Sequence, residues 1–286
     1  VTFLVRERRA AHLAQHGLAI HSFAGAVNLP APPTVVAAAL REPYDLILLS
    51  CKAYGLEQAM ADMASAVGPD TAILPLLNGM RQLDLLEARF GAQHVLGGQC
   101  VIAATLDGAG AVRHLNQTHG LTFGERDGSA SERMQRITRE LSDAGFDARP
   151  SQHVLQDMWD KWVFLASLAG ITCLMRGPVG AIVAAPGGTA AALALLEECR
   201  AVAERAGHAP GEAILQRARG VLTEAGSDLT ASMLRDLQHG HAIEADHVIG
   251  DMLARADPQQ AASSLLAVVY AHLRVYEAGR TDTRPA

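Results

Sequence analysis

The residue best suited to acid–base chemistry is Lys161, which stands in W-D-K-W at 159–162, just before the most apolar stretch of the sequence. A lysine in such surroundings is seldom buried without a function. If it borders a cleft, partial desolvation lowers its pKa and makes it an effective general acid. The alternative is that its ammonium reaches solvent from an amphipathic helix. Both interpretations stay open at this point.

Two further polar side chains directly follow apolar runs that have the character of strands buried on both faces. Lys52 follows residues 46–51, and Asn78 follows residues 72–77. In a doubly wound parallel sheet, ligands bind beyond the carboxyl ends of the strands, so both side chains would face one binding site. The alternatives are a solvated loop lysine and an ordinary Asn-Gly turn.

Arg6 follows another short apolar run, residues 1–5. In a dinucleotide-binding half, the residue that ends the second strand meets the adenosine ribose, where an arginine accommodates the 2′-phosphate of NADP. Arg6 therefore favours NADP, unless R-E-R-R at 6–9 is only the solvated start of a helix. Because Val1 already lies inside a predicted strand, we expect further sequence upstream.

Ser232 and Glu244 lie twelve positions apart; we predict a helix over residues 233–256 that starts at Ser232 or Thr230 as cap and contains Glu244. That spacing is about three and a third turns, so the two side chains would lie near one face. By default such a serine caps a helix and such a glutamate is solvated. The histidines nearby lack the carboxylate pattern of a zinc site, so we expect no metal.

The elements that must position these residues form two predicted domains, 1–150 and 151–286. The first alternates strands with helices, which predicts a Rossmann-like, doubly wound α/β fold. Its predicted strands are 1–5, 18–22, 46–51, 72–77, 95–106 and 121–124, and its predicted helices are 7–16, 56–67, 83–90 and 131–144. In the second, strands disappear and helices are predicted at 154–174, 189–206, 212–225, 233–256 and 260–276, with a frayed tail at 277–286.

Composition excludes several classes of protein. Of 286 residues, 49% are hydrophobic and 19% charged, which excludes general disorder. A net charge of -6 argues against nucleic-acid binding through a broad basic face. The apolar stretch at 162–175 is short for a membrane span and indicates a buried helix. Four dispersed cysteines without a C-x-x-C pair favour a reducing, cytoplasmic setting. The apolar helices of the second half could bury a homodimer interface.

Together the motifs resemble those of the ketopantoate reductase (2-dehydropantoate 2-reductase) family, the NADPH enzymes of pantothenate synthesis. The resemblance covers nearly the whole chain. It rests on residues 1–6, on residues 45–53, on L-L-N-G-M at 76–80, on W-D-K-W at 159–162, and on S-M-L-R-D at 232–236 followed by Glu244.

The resemblance implies roles for these residues. Lys161 would protonate the carbonyl oxygen of a 2-oxo acid while NADPH delivers hydride to the carbonyl carbon. Ser232 would hold the substrate, and Glu244 would contact the cofactor or help to orient the lysine.

The cofactor is implied to lie at the strand ends of the first domain. Lys52 and Asn78 would contact cofactor and substrate there, and the backbone near Ala104 would border the nicotinamide.

Two features depart from the family pattern. The sequence contains no G-x-G-x-x-G loop, so the pyrophosphate has no cradle and we expect the chain to bind NADPH poorly or not at all. Leu165, Ala169 and Val179 occupy positions that are usually asparagine, which would change the preferred 2-oxo acid. The alternatives are a non-catalytic paralogue that keeps the fold for binding or dimerisation, and a reductase of the β-hydroxyacid dehydrogenase type.

Overall fold

The protein is described by a computed structural model that covers residues 1–282. The chain divides into two compact units. The first comprises Val1–Cys51, Gly55–Leu76 and Leu85–Val154. The second comprises the chain from Leu155 onward and two short earlier segments, Lys52–Tyr54 and Leu77–Asp84. The residues that follow two strands of the first half therefore belong to the second unit.

The first part of the chain alternates strands and helices, which confirms the predicted Rossmann-like α/β class. The strands are Phe3–Leu4 (β1), Leu18–Ser22 (β2), Gly25–Leu29 (β3), Thr34–Val35 (β4), Leu46–Leu49 (β5), Ala72–Pro75 (β6), Gly97–Val101 (β7), Ala104–Leu106 (β8), Val112–His114 (β9), Gly120–Gly124 (β10) and Asp147–Pro150 (β11). The helices are Glu7–His16 (α1), Leu56–Asp62 (α2), Arg81–Phe90 (α3) and Glu132–Ser142 (α4).

The strands form four small sheets of mixed direction. β1 pairs with β4 and β5 pairs with β6, both in parallel. The other two sheets have the strand orders β3-β2-β9-β8 and β11-β10-β7, each with parallel and antiparallel pairs. In the β5–β6 pair Leu46 lies opposite Ala72 and Leu49 opposite Pro75, so the proline ends its strand and interrupts no ladder.

Two strand predictions were wrong in detail. β5 is not buried on both faces, because it pairs only with β6 in the described chain and the side chain of Leu48 is left exposed. The strand predicted at 95–106 divides into β7 and β8, which belong to different sheets. Between them the amide of Ala103 donates to the side chain of Asn116 and not to a neighbouring strand.

The core of the first unit forms where α4 packs on β6 and β10. Leu74 and Phe123 are fully buried there against Met134, Ile137 and Leu141 of the helix. Burial of each such side chain contributes roughly 1.5–3 kcal/mol. As predicted, Ser131 caps the helix by accepting from the amide of Met134 at 3.1 Å.

The described residues of the second unit form helices joined by loops, without strands. Its helices are Val154–Met175 (α5), Val179–Ala184 (α6), Gly188–Arg205 (α7), Glu212–Leu222 (α8), Ser232–Gln238 (α9), Asp251–Ala254 (α10), Pro258–Ala261 (α11) and Leu265–Asp282 (α12). A π-helix, Asp246–Gly250, precedes α10. Helix α6 was not predicted. The tail is helical as far as Asp282, so the predicted fraying at 277–282 was wrong, and residues 283–286 lie outside the described chain.

Helix α5 is longer than the apolar stretch that the sequence suggested. Its 22 residues are long and apolar enough to cross a membrane, but 67% of its most apolar window is buried within the protein. Ser167 and Thr172 are fully buried, and each hydroxyl donates to the carbonyl oxygen four residues earlier, at 2.7 and 2.6 Å. Because both hydroxyls are hydrogen-bonded within the helix, they can be buried away from water. This agrees with the buried helix that the sequence predicted.

Candidate active site

The candidate site is organised around Lys52, which follows β5 and belongs to the second unit. Its ammonium lies 3.2 Å from a carboxylate oxygen of Glu244 and 3.3 Å from one of Asp236. The lysine side chain is 45% exposed, whereas that of Glu244 is 10% exposed. Burial opposes the charge of Lys52, but the two carboxylates outweigh it and hold the pKa of the ammonium above its usual value.

Glu244 is held from two directions. One carboxylate oxygen accepts from Lys52, and the other accepts from the backbone amide of Ala53 at 2.9 Å. Two adjacent residues of one short segment therefore fix both oxygens. A carboxylate held by an ammonium and an amide cannot rotate freely.

Ser232 and Glu244 do not lie on one helix, so that prediction was wrong. Helix α9 ends at Gln238, and Gly240 takes a left-handed conformation with φ 72°. The amide of His241 then donates back to the carbonyl of Asp236 at 2.8 Å, which closes the helix end and turns the chain. Glu244 therefore reaches Lys52 through a chain reversal and not through helical periodicity.

Ser232 is exposed and is the first residue of α9. The capping position belongs to Ala231, and no side chain makes a capping hydrogen bond there. The default explanation of Ser232 as a helix cap was therefore wrong. Its hydroxyl lies one helical turn before Asp236, on the helix that brings a carboxylate to Lys52.

Asn78 opens the turn that follows β6, and its side chain is half-buried. Gly79 has φ 88°, a conformation that suits glycine. A Cβ at this position would lie 3.0 Å from the carbonyl oxygen of His247. Glycine is thus required at 79 by a left-handed turn packed closely against the chain that follows Glu244.

Lys161 lies on α5 in the second unit and is half-buried. The indoles on either side of it, Trp159 and Trp162, are buried with ring centroids 4.9 Å apart. The Trp162 indole donates to the carbonyl of Val248 at 3.0 Å, which ties this part of α5 to the π-helix. The helix position of Lys161 is therefore fixed by its neighbours.

The remaining predicted positions divide between the units. Arg6 and Ala104 belong to the first unit: Arg6 is exposed before α1, and Ala104 is exposed at the start of β8. In the second unit Leu165 is half-buried, while Ala169 and Val179 are buried. The structure thus brings Lys52 and Glu244 into contact and places Asn78, Lys161 and Ser232 in the same unit.

Three residues at this site were not given roles from the sequence. Asp236 ends the S-M-L-R-D motif at 232–236. Its spacing of four residues from Ser232, which puts both on one helix face, was the signal that could have identified it. Gln82 and His247 are buried beneath the Asn78 turn and hydrogen-bond to each other at 2.8 Å. Apart from the histidine's nearness to Glu244, no local pattern indicated this pair.

Comparison with known proteins identifies the family. Residues 1–128 match the model of ketopantoate reductase PanE/ApbA, and residues 153–277 match the model of its C-terminal domain. An uncharacterized oxidoreductase of Bacillus subtilis, YkpB, is 34% identical over 97% of this chain and 91% of its own length. A 2-dehydropantoate 2-reductase of Mesorhizobium japonicum is 27% identical over 72% of this chain and 68% of its own length.

Solved structures show the same fold at lower identity. The 2-dehydropantoate 2-reductase of Methylococcus capsulatus superposes with a TM-score of 0.84 at 24% identity, covering 100% of this chain and 91% of the other. D-mandelate dehydrogenase, solved with NADH and anilino(oxo)acetate, has a TM-score of 0.82 at 18% identity, covering 96% and 90%. On the strength of the two family models and the Bacillus relative, the chain belongs to the ketopantoate reductase PanE/ApbA family of oxidoreductases.

Proposed function

We propose that this protein reduces a 2-oxo acid to a 2-hydroxy acid with NADPH, the substrate being ketopantoate or a related acid. The observation that carries the proposal is the Lys52 ammonium held between Asp236 and Glu244, in the unit that also contains Lys161 and Asn78. The site thus holds positively and negatively charged side chains on separate segments. Such an arrangement suits a small anionic substrate beside a nicotinamide.

The lysine content of the chain supports a chemical role for both candidate lysines. Lysine and arginine total 24, yet Lys52 and Lys161 are the only lysines. Arginine stays protonated at any pH a protein tolerates, whereas a lysine ammonium can give up a proton when its surroundings favour it. Lys161 can therefore serve as a proton donor, whereas Lys52, whose pKa is raised, supplies a compact positive charge.

In the proposed reaction, Lys161 donates a proton to the carbonyl oxygen as the carbon is reduced, which prevents a full alkoxide from forming. Bound NADPH would supply the hydride and leave as NADP⁺. Asn78 and Ser232 would hydrogen-bond to the substrate. Glu244, fixed by Lys52 and Ala53, would accept a hydrogen bond from the cofactor or orient Lys161.

The residues present fit one end of such a cofactor. Lys52, Asn78 and Glu244 offer an ammonium, an amide and a carboxylate, which suit the hydroxyl and amide groups near a nicotinamide. The backbone at Ala104 would border the ring, and Arg6 would meet the 2′-phosphate. For the pyrophosphate the sequence offers no G-x-G-x-x-G run.

The domain roles and the substrate follow from the same proposal. Residues 1–150 would bind NADP, and residues 151–286 would bind the 2-oxo acid and form a homodimer in the cytoplasm. Leu165, Ala169 and Val179 are apolar and at least half-buried, so they cannot hydrogen-bond a hydroxylated substrate. We therefore expect a 2-oxo acid with a less polar side chain than ketopantoate to be reduced faster.

Titration with NADPH and with NADH, followed by nicotinamide fluorescence, tests the proposal. The chain is compared with a version extended at its N-terminus by a strand and a G-x-G-x-x-G turn. Binding by the extended version, followed by turnover of 2-oxo acids that is lost in Lys161→Ala, supports it. If neither version binds either nucleotide, the proposal fails, and a non-catalytic binding or dimerisation protein becomes the better interpretation.

A further inference from the structure

A buried hydrogen-bonded pair lies beneath the candidate site. His247 belongs to the π-helix and Gln82 is the second residue of α3; they are 5% and 0% exposed. The Nε2 atom of His247 lies 2.8 Å from Oε1 of Gln82. Helices of the π type are rare and occur frequently at functional sites, so the position of the pair invites a functional explanation.

The hydrogen-bond directions can be assigned. The amide nitrogen of Gln82 donates to two carbonyl oxygens, that of Gly79 at 2.6 Å and that of Leu77 at 3.3 Å. Carbonyl oxygens only accept, so the side-chain oxygen of Gln82 must be the atom that faces His247. The imidazole is therefore the donor, with its proton on Nε2.

The two carbonyls held by Gln82 belong to the residues on either side of Asn78. Gln82 thus holds the peptide group before Asn78 and the one after Gly79, which lie at the two ends of the Asn78–Gly79 turn. On the other side, His247 lies three residues after Glu244, whose carbonyl accepts from the amide of Val248 at 2.9 Å. One hydrogen bond therefore connects the Asn78 turn with the segment that carries Glu244.

We propose that His247 and Gln82 are positioning residues that hold Asn78 and Glu244 in register for the reaction. This inference rests on the proposed function, because register matters only if both side chains serve one substrate and cofactor. A misplacement of about 1 Å at a reacting centre can lower the rate about 100-fold, so a hydrogen bond that prevents such a displacement would affect catalysis.

The charge state of the histidine agrees with this role. Burial lowers the pKa of His247 to about 4; Glu244 acts in the opposite sense, and Arg81 lowers the pKa further. The imidazole is therefore neutral at pH 7, and the single Nε2 proton is committed to Gln82. A structural filler of the same volume would need no such proton.

The kinetic test compares two substitutions in whichever version of the protein binds NADPH. His247→Gln keeps an N–H donor at a similar reach, whereas His247→Phe keeps the volume and removes the donor. We expect kcat to fall about 10- to 100-fold in the phenylalanine variant and to stay within about threefold of wild type in the glutamine variant. Equal loss in both variants, or an unchanged kcat in the phenylalanine variant, would overturn the proposal.

His94→Phe is the matched control. His94 is also buried and hydrogen-bonds through its ring to the carbonyl of Thr71 at 2.8 Å, but it belongs to the first unit and has no part in the site. We expect this control to lower the melting temperature as His247→Phe does, with kcat unchanged. A parallel loss of kcat in the control would show that instability, and not register, explains the effect.

A second measurement separates failure of this inference from failure of the proposed function. Nitrogen-15 NMR of the histidine rings should show His247 as the neutral Nε2–H form at pH 7. The Gly79 amide and the Asn78 side-chain amide should shift in His247→Phe and recover in His247→Gln. These signals need no turnover, so if wild type reduces no 2-oxo acid they still decide whether the pair holds the turn. The Nδ1–H form, or unshifted signals, would refute it.

Discussion

The ammonium of Lys52 lies 3.2 Å from the carboxylate of Glu244, 192 positions later in the chain. The same carboxylate accepts from the amide next to that lysine, at Ala53. Asp236 contacts the ammonium from a separate helix. The short segment after β5 thus belongs to the helical unit, and its ammonium faces two carboxylates.

Glu244→Gln should lower the pKa of Lys52. The substitution keeps the shape and an oxygen for Ala53, but it removes one of the two charges that oppose the effect of burial on the ammonium. With only two lysines in the chain, NMR of lysine labelled with carbon-13 at Cε resolves both titrations directly.

Glu197→Gln serves as the control, because this exposed glutamate pairs with Arg200 and not with a lysine. It should leave the Lys52 titration where it is in wild type. An unchanged pKa of Lys52 in Glu244→Gln would show that the ion pair is not maintained in solution.

Lys161→Ala should reduce turnover of the best 2-oxo acid by about 10²–10⁴-fold, the range expected for loss of a general acid. Nucleotide affinity and the urea midpoint should change little, since the buried tryptophans fix this part of α5. Lys161→Arg is the informative companion, because arginine keeps the charge but does not release a proton at neutral pH. Steady-state kinetics of both variants checks this, and an active arginine variant would contradict the proton-donor role.

The sequence predicted elements whose signals are local. Helix α4 shows this best, since Ser131 caps it and Gly145 follows its end with φ 76°. Placement of Lys52 and Asn78 at strand ends also followed from the apolar runs before them. Both residues belong to the helical unit, however, since Lys52 contacts Glu244 and the Asn78 turn packs against His247, both far along the chain.

The failures have a common physical origin. The apolar spacing at 233–256 continues across Gly240, so periodicity alone could not reveal the left-handed turn there. Glutamine is a residue type expected at the surface, and histidine is intermediate, so neither Gln82 nor His247 was predicted to be fully buried. They are buried because each satisfies the other, which is a property of a distant pair and not of either local sequence.

Gly79→Ala should destabilise the fold by roughly 1–3 kcal/mol, because alanine is strained at φ 88° and its Cβ would approach the His247 carbonyl at 3.0 Å. Gly220→Ala is the matched control. Gly220 lies within α8 with open space around its Cα, so alanine should stabilise by about 0.5–1 kcal/mol. Urea denaturation of the three proteins gives both values, and similar midpoints for the two variants would contradict the turn geometry.

His247 should make the protein lose stability in mild acid. Its pKa is lowered by burial to about 4 in the folded protein, whereas the unfolded imidazole binds a proton near pH 6.5. Between pH 6.5 and 4 the unfolded chain binds a proton at this group that the folded protein does not. The free energy of unfolding therefore falls by on the order of 3 kcal/mol as the pH drops from 6.5 towards 4.

Urea denaturation of wild type and His247→Gln at pH 7.5, 5.5 and 4.5 measures this contribution as the difference between the two proteins. His208, whose pKa is also lowered by burial, titrates in both and cancels. The difference in free energy of unfolding should shift in favour of the glutamine variant as the pH falls. Parallel curves would mean that the His247 ring is hydrated or already charged, and that the hydrogen bond to Gln82 does not persist in solution.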